Sequence, residues 1–192
     1  MKVILGVSMR HVHLNKEDYH TLFGDEPLNK VKDLRQPGQF ASDKLVTIKN
    51  EGRQIERVRV LGPLRNYTQV EISKTDAYSL KLDPPIRTSG DLEGSSPITI
   101  VGPKGEVNLK EGCILANRHI HISPEDVKKY NLENVKTVKV KVDGEKGGIL
   151  NNVHLKIIDP SLLEMHIDSD EGNAFGVKTR DELEIVEIER EN

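Results

Sequence analysis

The phrase Arg-His-Val-His at residues 10–13 returns as Arg-His-Ile-His at residues 118–121, and the two phrases take four of the chain's seven histidines. Superposing His11 on His119, a shift of 108, also superposes Arg10 on Arg118, His13 on His121, Glu17 on Glu125 and Asp18 on Asp126. This agreement reads as an internal duplication, which limits the fold to two similar halves. The 192 residues allow one large domain or two small ones, with a core that needs no disulfide staples, and the repeat tilts the choice toward two. Further on, VRVLGPLRNYTQVEISKTDAYSLK and LKIIDPSLLEMHIDSDEGNAFGVK lie together through Pro63 with Pro160 and Ala77 with Ala174, with a two-residue gap between. The gap sets Val70-Glu71-Ile72 over Met165-His166-Ile167.

Both halves are built from segments that alternate polar with β-branched or apolar residues. They are KVILGVS, KLVTIKN, IERVRVLGP, TQVEIS, SPITIVGP, TVKVKV, VHLKIID and DELEIVEIE. The turn sequences NEGR, GPKGE and DGEKGG read as hairpin connections, and DPPIRTSGDLEGSSP as a longer loop. Many short strands closed by turns predict a mainly β protein, a barrel or a sandwich in each half. Helical signals cluster after each histidine pair. Asn15 and Ser123 are good N-cap residues, Pro124 follows at the first helical position, and Glu17-Asp18 and Glu125-Asp126 occupy first turns, where the helix dipole favours acids. The lysines of TVKVKVDG read as a solvated strand face.

On a strand, residues two apart share a face, so His11 with His13 and His119 with His121 each present two imidazoles side by side. A single pair of this kind arises readily on any polar strand face. Here each pair has a third donor at an equivalent place, Glu71 in one half and His166 in the other. Two neutral imidazoles plus a third nitrogen or oxygen ligand suit a zinc ion with an open coordination position. His20 and His154 have no counterparts and read as surface residues. Arg65, six residues before Glu71, is the leading anion clamp, because its planar fork suits a tetrahedral oxyanion such as phosphate. Arg10 and Arg118 alternate with the histidines and should face the other way, in structural pairs.

Composition removes other function classes. A net charge of −3 and 4% aromatic residues without tryptophan speak against a nucleic-acid partner. There is no apolar run of membrane-spanning length and no secretory leader pattern, so no membrane partner and a cytoplasmic location are expected. The single cysteine, Cys113, cannot form an internal disulfide and reads as a buried small hydrophobe. GxSxG, P-loop, GxGxxG and CxxC motifs are absent. A mechanism would then rest on metal, arginine and a bound oxyanion. The same ligands would serve a di-metal hydrolase of a phosphoester or thioester, or structural zinc in a scaffold, although structural sites generally use four protein ligands.

These residues resemble the PduL-type phosphotransacylases, the phosphate propanoyltransferases. VSMRHVHL, QPGQFA, VRVLGPLRNYTQVEIS, RTSGD, ANRHIHIS and MHIDSDE appear in that family's order across nearly the whole chain. The resemblance implies two similar small β-barrels from the duplication, capped by short helices. One would be built from residues 1–9 plus 117–192, with the first strand crossing over, and the other from residues 10–116. It implies two zinc ions per chain, one held by His11, His13 and Glu71 and the other by His119, His121 and His166, with Arg65 on phosphate. The implied reaction is acyl-CoA plus phosphate to acyl phosphate plus CoA, with acetyl or propanoyl as the acyl group, in a homodimer or larger homo-oligomer. Met9 stands where the family motif often has Asn, and DEGNAF replaces a more common DEANA; neither removes a ligand. Members packaged in bacterial microcompartments carry an extra N-terminal amphipathic peptide; KVILGVS reads as a strand from the second residue with no such peptide before it, so a free cytoplasmic role is expected over a microcompartment one.

Overall fold

The computed structural model describes residues 1–190. Its strands are β1 (Lys2–Ser8), β2 (His11–His13), β3 (Lys30–Asp33), β4 (Phe40–Asn50), β5 (Arg53–Gly62), β6 (Gln69–Glu71), β7 (Ile86–Arg87), β8 (Ser96–Val101), β9 (Glu106–Ala116), β10 (His119–Ile122), β11 (Val135–Val142), β12 (Gly148–Ile157), β13 (Glu164–Asp168) and β14 (Glu182–Arg190). Four short helices complete it: α1 (Lys16–Phe23), α2 (Lys74–Leu80), α3 (Pro124–Lys129) and α4 (Ser169–Phe175).

The chain divides into two compact units. One takes Met1–Ser8 and the residues from Asn117 onward, and the other takes Met9–Ala116. In the first unit a closed barrel runs β1-β13-β10-β12-β11-β14. In the second, pairings β4-β5, β5-β2, β2-β6, β6-β9, β9-β8 and β8-β4 also close a ring of strands, with β3 and β7 added beside β4 and β9. The pairing senses match step for step. The histidine strand is parallel to one neighbour, β12 or β5, and antiparallel to the other, β13 or β6. Beyond the third-ligand strand lies a parallel neighbour, β1 in one barrel and β9 in the other. The duplicated sequence therefore makes a duplicated barrel with one exchange, since β1 precedes β2 in the chain but closes the barrel that contains β10, and β9 does the converse.

Each barrel has its own core. Val12, Val46, Ile48, Val60, Val70 and Ile100 are among the buried residues of one, and Leu5, Ile120, Val138, Val140, Leu150 and Met165 of the other. Fully burying such a side chain is worth roughly 1.5–3 kcal/mol, so alternation alone commits one face of each strand to the interior. The residues between them in sequence, including every histidine of the two pairs, point away from these cores.

Asn15 and Ser123 cap α1 and α3 as their sequences predict, accepting from the amides of Asp18 at 2.7 Å and Asp126 at 3.1 Å. The two further helices, α2 and α4, begin with capping boxes, Ser73 with Asp76 and Asp168 with Glu171. Both boxes are legible as S-K-T-D and D-S-D-E, a signature missing from the helical signals considered above. Both helices start at the same distance after the third ligand, so Gly172, not Ala174, occupies the buried position that Ala77 holds in α2. The expected turns are present. Glu51 and Gly52 between β4 and β5 both have positive φ, as a two-residue hairpin loop with the right twist requires. Lys139 and Lys141 lie on the outer face of β11 and pair with Glu187 and Asp143. Among the described residues no helix is long and apolar enough to cross a membrane.

Candidate metal centres

Strand β2 is only three residues long, and its middle residue, Val12, is fully buried in the core. His11 and His13 therefore leave the opposite face, where the antiparallel register sets His11 across from Glu71 and His13 across from Gln69. The His11 Nε2 lies 3.4 Å from Glu71 Oε2, and the His11 and His13 rings stand edge to face with centroids 4.9 Å apart. One ligand atom from each of His11, His13 and Glu71 lies within 4.8 Å of the others. The His11 Nδ1–H donates to the Met9 carbonyl at 2.8 Å, which leaves the Nε2 lone pair aimed at the cluster. Burial works against a charged His11 ring, but the Glu71 carboxylate and the Met9 carbonyl outweigh it and hold its pKa above the usual histidine value.

The second cluster repeats the plan. His119 pairs across from His166 and His121 from Glu164. The His119 Nδ1–H donates to the Asn117 carbonyl at 2.9 Å, and its Nε2 lies 3.2 Å from His121 Nε2. His166 closes the triad, its ring centroid 5.3 Å from His119 and 4.8 Å from His121, and the three ligand atoms again fall within 4.8 Å. A tetrahedral zinc ion with ligands at about 2.0–2.1 Å requires neighbouring donors roughly 3.3 Å apart. One donor pair in each triad, His11 with Glu71 at 3.4 Å and His119 with His121 at 3.2 Å, sits at that spacing. Nitrogen and carboxylate donors that converge from rigid strands fit a divalent metal in both places, with zinc, cobalt or nickel equally suited by type.

Arg65 follows the chain turn before β6. Its guanidinium donates to the Tyr67 hydroxyl at 2.7 Å and to Ser89 Oγ at 3.1 Å and stacks over the Tyr67 ring. Ser89 also accepts from Gln69 Nε2 at 2.9 Å, and the same Gln69 nitrogen reaches Glu71 Oε1 at 2.6 Å. A polar relay thus links Arg65 to the carboxylate of the first triad. The relay closes where the Gly90 amide donates to Gln69 Oε1 at 2.7 Å, in a backbone conformation with φ of +100° that favours glycine. Ser89, Tyr67 and Gln69 are the members that motif reasoning left out; Ser89 lies inside RTSGD, and Gln69 two residues before Glu71 shares its strand face.

Arg10 and Arg118 face away from the triads and pair with structural acids. Arg10 bonds Asp76 Oδ1 through Nε at 2.9 Å, and Arg118 reaches Glu171 Oε1. Those acids are the third-position members of the two capping boxes, so each arginine ties a histidine strand to the helix that follows the third ligand. His20 is exposed beside Asp25. His154 is half-buried rather than on the surface, because it sits beside His119 on the parallel strand β12. Cys113 is fully buried, and burial pushes its thiol pKa up to about 12.

A family model described as phosphate propanoyltransferase matches residues 4–178, a span that holds both triads and Arg65. The chain belongs to the phosphate propanoyltransferase family. It is 49% identical over 188 residues to the phosphate propanoyltransferase of Thermotoga maritima, covering 97% of this chain and 90% of that protein. It is 44% identical over 185 residues to that of Rhodopseudomonas palustris, covering 96% and 82%. The Lachnoclostridium phytofermentans member is 48% identical over 174 residues, covering 90% and 81%.

Proposed function

We propose that this chain transfers a short acyl group, propanoyl or acetyl, between coenzyme A and inorganic phosphate, with two zinc ions held by His11, His13 and Glu71 and by His119, His121 and His166. The observation that carries this reading is the pair of triads, each with three donors converging within 4.8 Å and fewer protein ligands than a closed structural zinc site uses. Zinc bound there would supply Lewis acidity and charge neutralisation for an oxyanion or a leaving thiolate.

The chain's own residues do the rest. Arg65, already steadied by Tyr67 and Ser89, offers its remaining N–H groups to phosphate. One phosphate oxygen attacks the thioester carbonyl carbon as the C–S bond breaks, and the thiolate departs as coenzyme A; the reverse reaction runs the same exchange backwards. No acyl-enzyme is needed, because Cys113 is buried with its thiol protonated and Ser89 has a guanidinium and a carboxamide as neighbours rather than a base. A homodimer or larger homo-oligomer, free in the cytoplasm, is part of the same reading.

The test is release of coenzyme A from propanoyl- and acetyl-CoA by zinc-loaded protein, with and without phosphate. Phosphate-dependent release that stops on chelation supports the reading. Release without phosphate would identify a thioester hydrolase instead, and no release with either substrate would sink the proposal.

A further inference from the structure

The third ligands of the two triads differ in kind, and a second difference accompanies the first. Two residues before Glu71 on β6 stands Gln69; two residues before His166 on β13 stands Glu164. The two are equivalent in register, each lying across from the second histidine of its pair. Gln69 donates its amide to the Glu71 carboxylate at 2.6 Å, and Glu164 Oε2 lies 3.1 Å from His166 Nε2. A carboxylate ligand is thus served by a donor, and an imidazole ligand by an acceptor.

Burial makes this second contact consequential. The Glu164 side chain is only 4% exposed, and a carboxylate so enclosed is stable only against a proton donor or a cation. The strand alongside leaves no slack. A Cβ at Gly6, which sits across from His166 on β1, would lie 2.8 Å from His166 Cδ2 and 3.2 Å from Glu164 Oε1. The other barrel places Ile114 at the corresponding position across from Glu71, where no imidazole has to fit.

We infer that Glu164 is a positioning member of the second triad: it accepts the Nε2–H of His166, fixes that ring's tautomer and orientation, and gives the cluster the one carboxylate that its three imidazoles lack. This rests on the reading of the triads as metal sites. With Glu164, each cluster sets one carboxylate against a divalent cation, so the two match in net charge although their third ligands do not. An acid behind a ligating imidazole raises the basicity of the donor nitrogen, and removing such a partner typically weakens metal binding about 10–100-fold.

The experiment titrates zinc into apoprotein against a chromophoric chelator for the wild type, Glu164→Gln and Glu164→Leu, with circular dichroism as the check on folding. The wild type should take up two ions per chain; failure to do so overturns the reading of the triads before the variants are considered. Given two ions, Glu164→Leu should weaken one of them about 10–100-fold and leave the other unchanged. Glu164→Gln keeps a carbonyl acceptor and should fall between the wild type and Glu164→Leu. If Glu164→Leu does not fold, Glu164→Gln decides alone, weakening at one ion being the expected result. Unchanged affinity for both ions, or equal weakening of both, overturns the assignment of Glu164.

Discussion

The Nδ1–H of His11 donates to the carbonyl of Met9 at 2.8 Å, and the other barrel repeats the arrangement at the start of β10, where the Nδ1–H of His119 donates to the carbonyl of Asn117 at 2.9 Å. Each carbonyl belongs to the residue at which the chain enters a new unit. The backbone at the crossover, rather than a side chain, therefore selects the tautomer of the first histidine in each pair. With Nδ1 committed, Nε2 is the nitrogen left to face a metal under the proposed reading, and the two triads should then lose metal independently. His13→Ala and His121→Ala should each remove about one ion of a total of roughly two per chain, read by metal analysis of the purified proteins.

Arg65 gives a kinetic prediction. The proposed clamp on phosphate is a charge-assisted contact of about 1.5–3 kcal/mol, so in Arg65→Ala the KM for phosphate should rise roughly 10–150-fold. The KM for acyl-CoA should change far less, and the metal content should stay that of the wild type. Unaltered phosphate kinetics in Arg65→Ala would remove this residue from the proposed clamp.

Gly6 should be intolerant of even one methyl group. In Gly6→Ala the new Cβ would press on His166 Cδ2 at 2.8 Å and on Nε2 at 3.0 Å, displacing the ring while the β1 backbone stays extended. The expected signature is selective loss of one metal ion with a cooperative thermal transition retained, seen by calorimetry alongside metal analysis.

Cys113 should be inert. At neutral pH a buried thiol with a pKa of about 12 holds almost no thiolate, so the folded protein should resist alkylation by iodoacetamide and react only after denaturation. Cys113→Ala should keep turnover and cost about 1–2 kcal/mol of stability through lost core packing, measured by urea unfolding. Trapping of an acyl group on this residue would contradict direct attack by phosphate.

The Arg10 pair with Asp76 predicts a purely structural loss. Asp76 is buried, and Arg10→Met leaves its carboxylate without the guanidinium, a cost of about 1–3 kcal/mol because Arg10 itself is partly exposed. Restoring a neutral partner in Arg10→Met with Asp76→Asn should recover part of that loss in a double-mutant cycle.

Much of this molecule was written in short-range patterns. Alternation located most strands because one face of each is committed to a core. The shift of 108 located the histidine pairs, and the gapped match put Glu71 and His166 at equivalent places. The helices α2 and α4 are too short to show helical periodicity, and only the capping boxes, Ser73 with Asp76 and Asp168 with Glu171, mark their starts in the sequence. Strand β9 is hidden from the alternation pattern because EVNLKEGCILA breaks it at Gly112.

What the sequence determined by itself was the set of chemical parts: two histidine pairs, an unlike third donor for each, and an arginine close by in the chain. Tertiary structure decided which parts meet. Alternation tells which way a residue faces but not which strand lies beside it, so only the barrel register could bring Glu71 across from His11, His166 across from His119 and Glu164 against His166. For the same reason the exchange of β1 and β9 follows from strand pairing, a long-range choice settled by which closed barrel satisfies every backbone hydrogen bond.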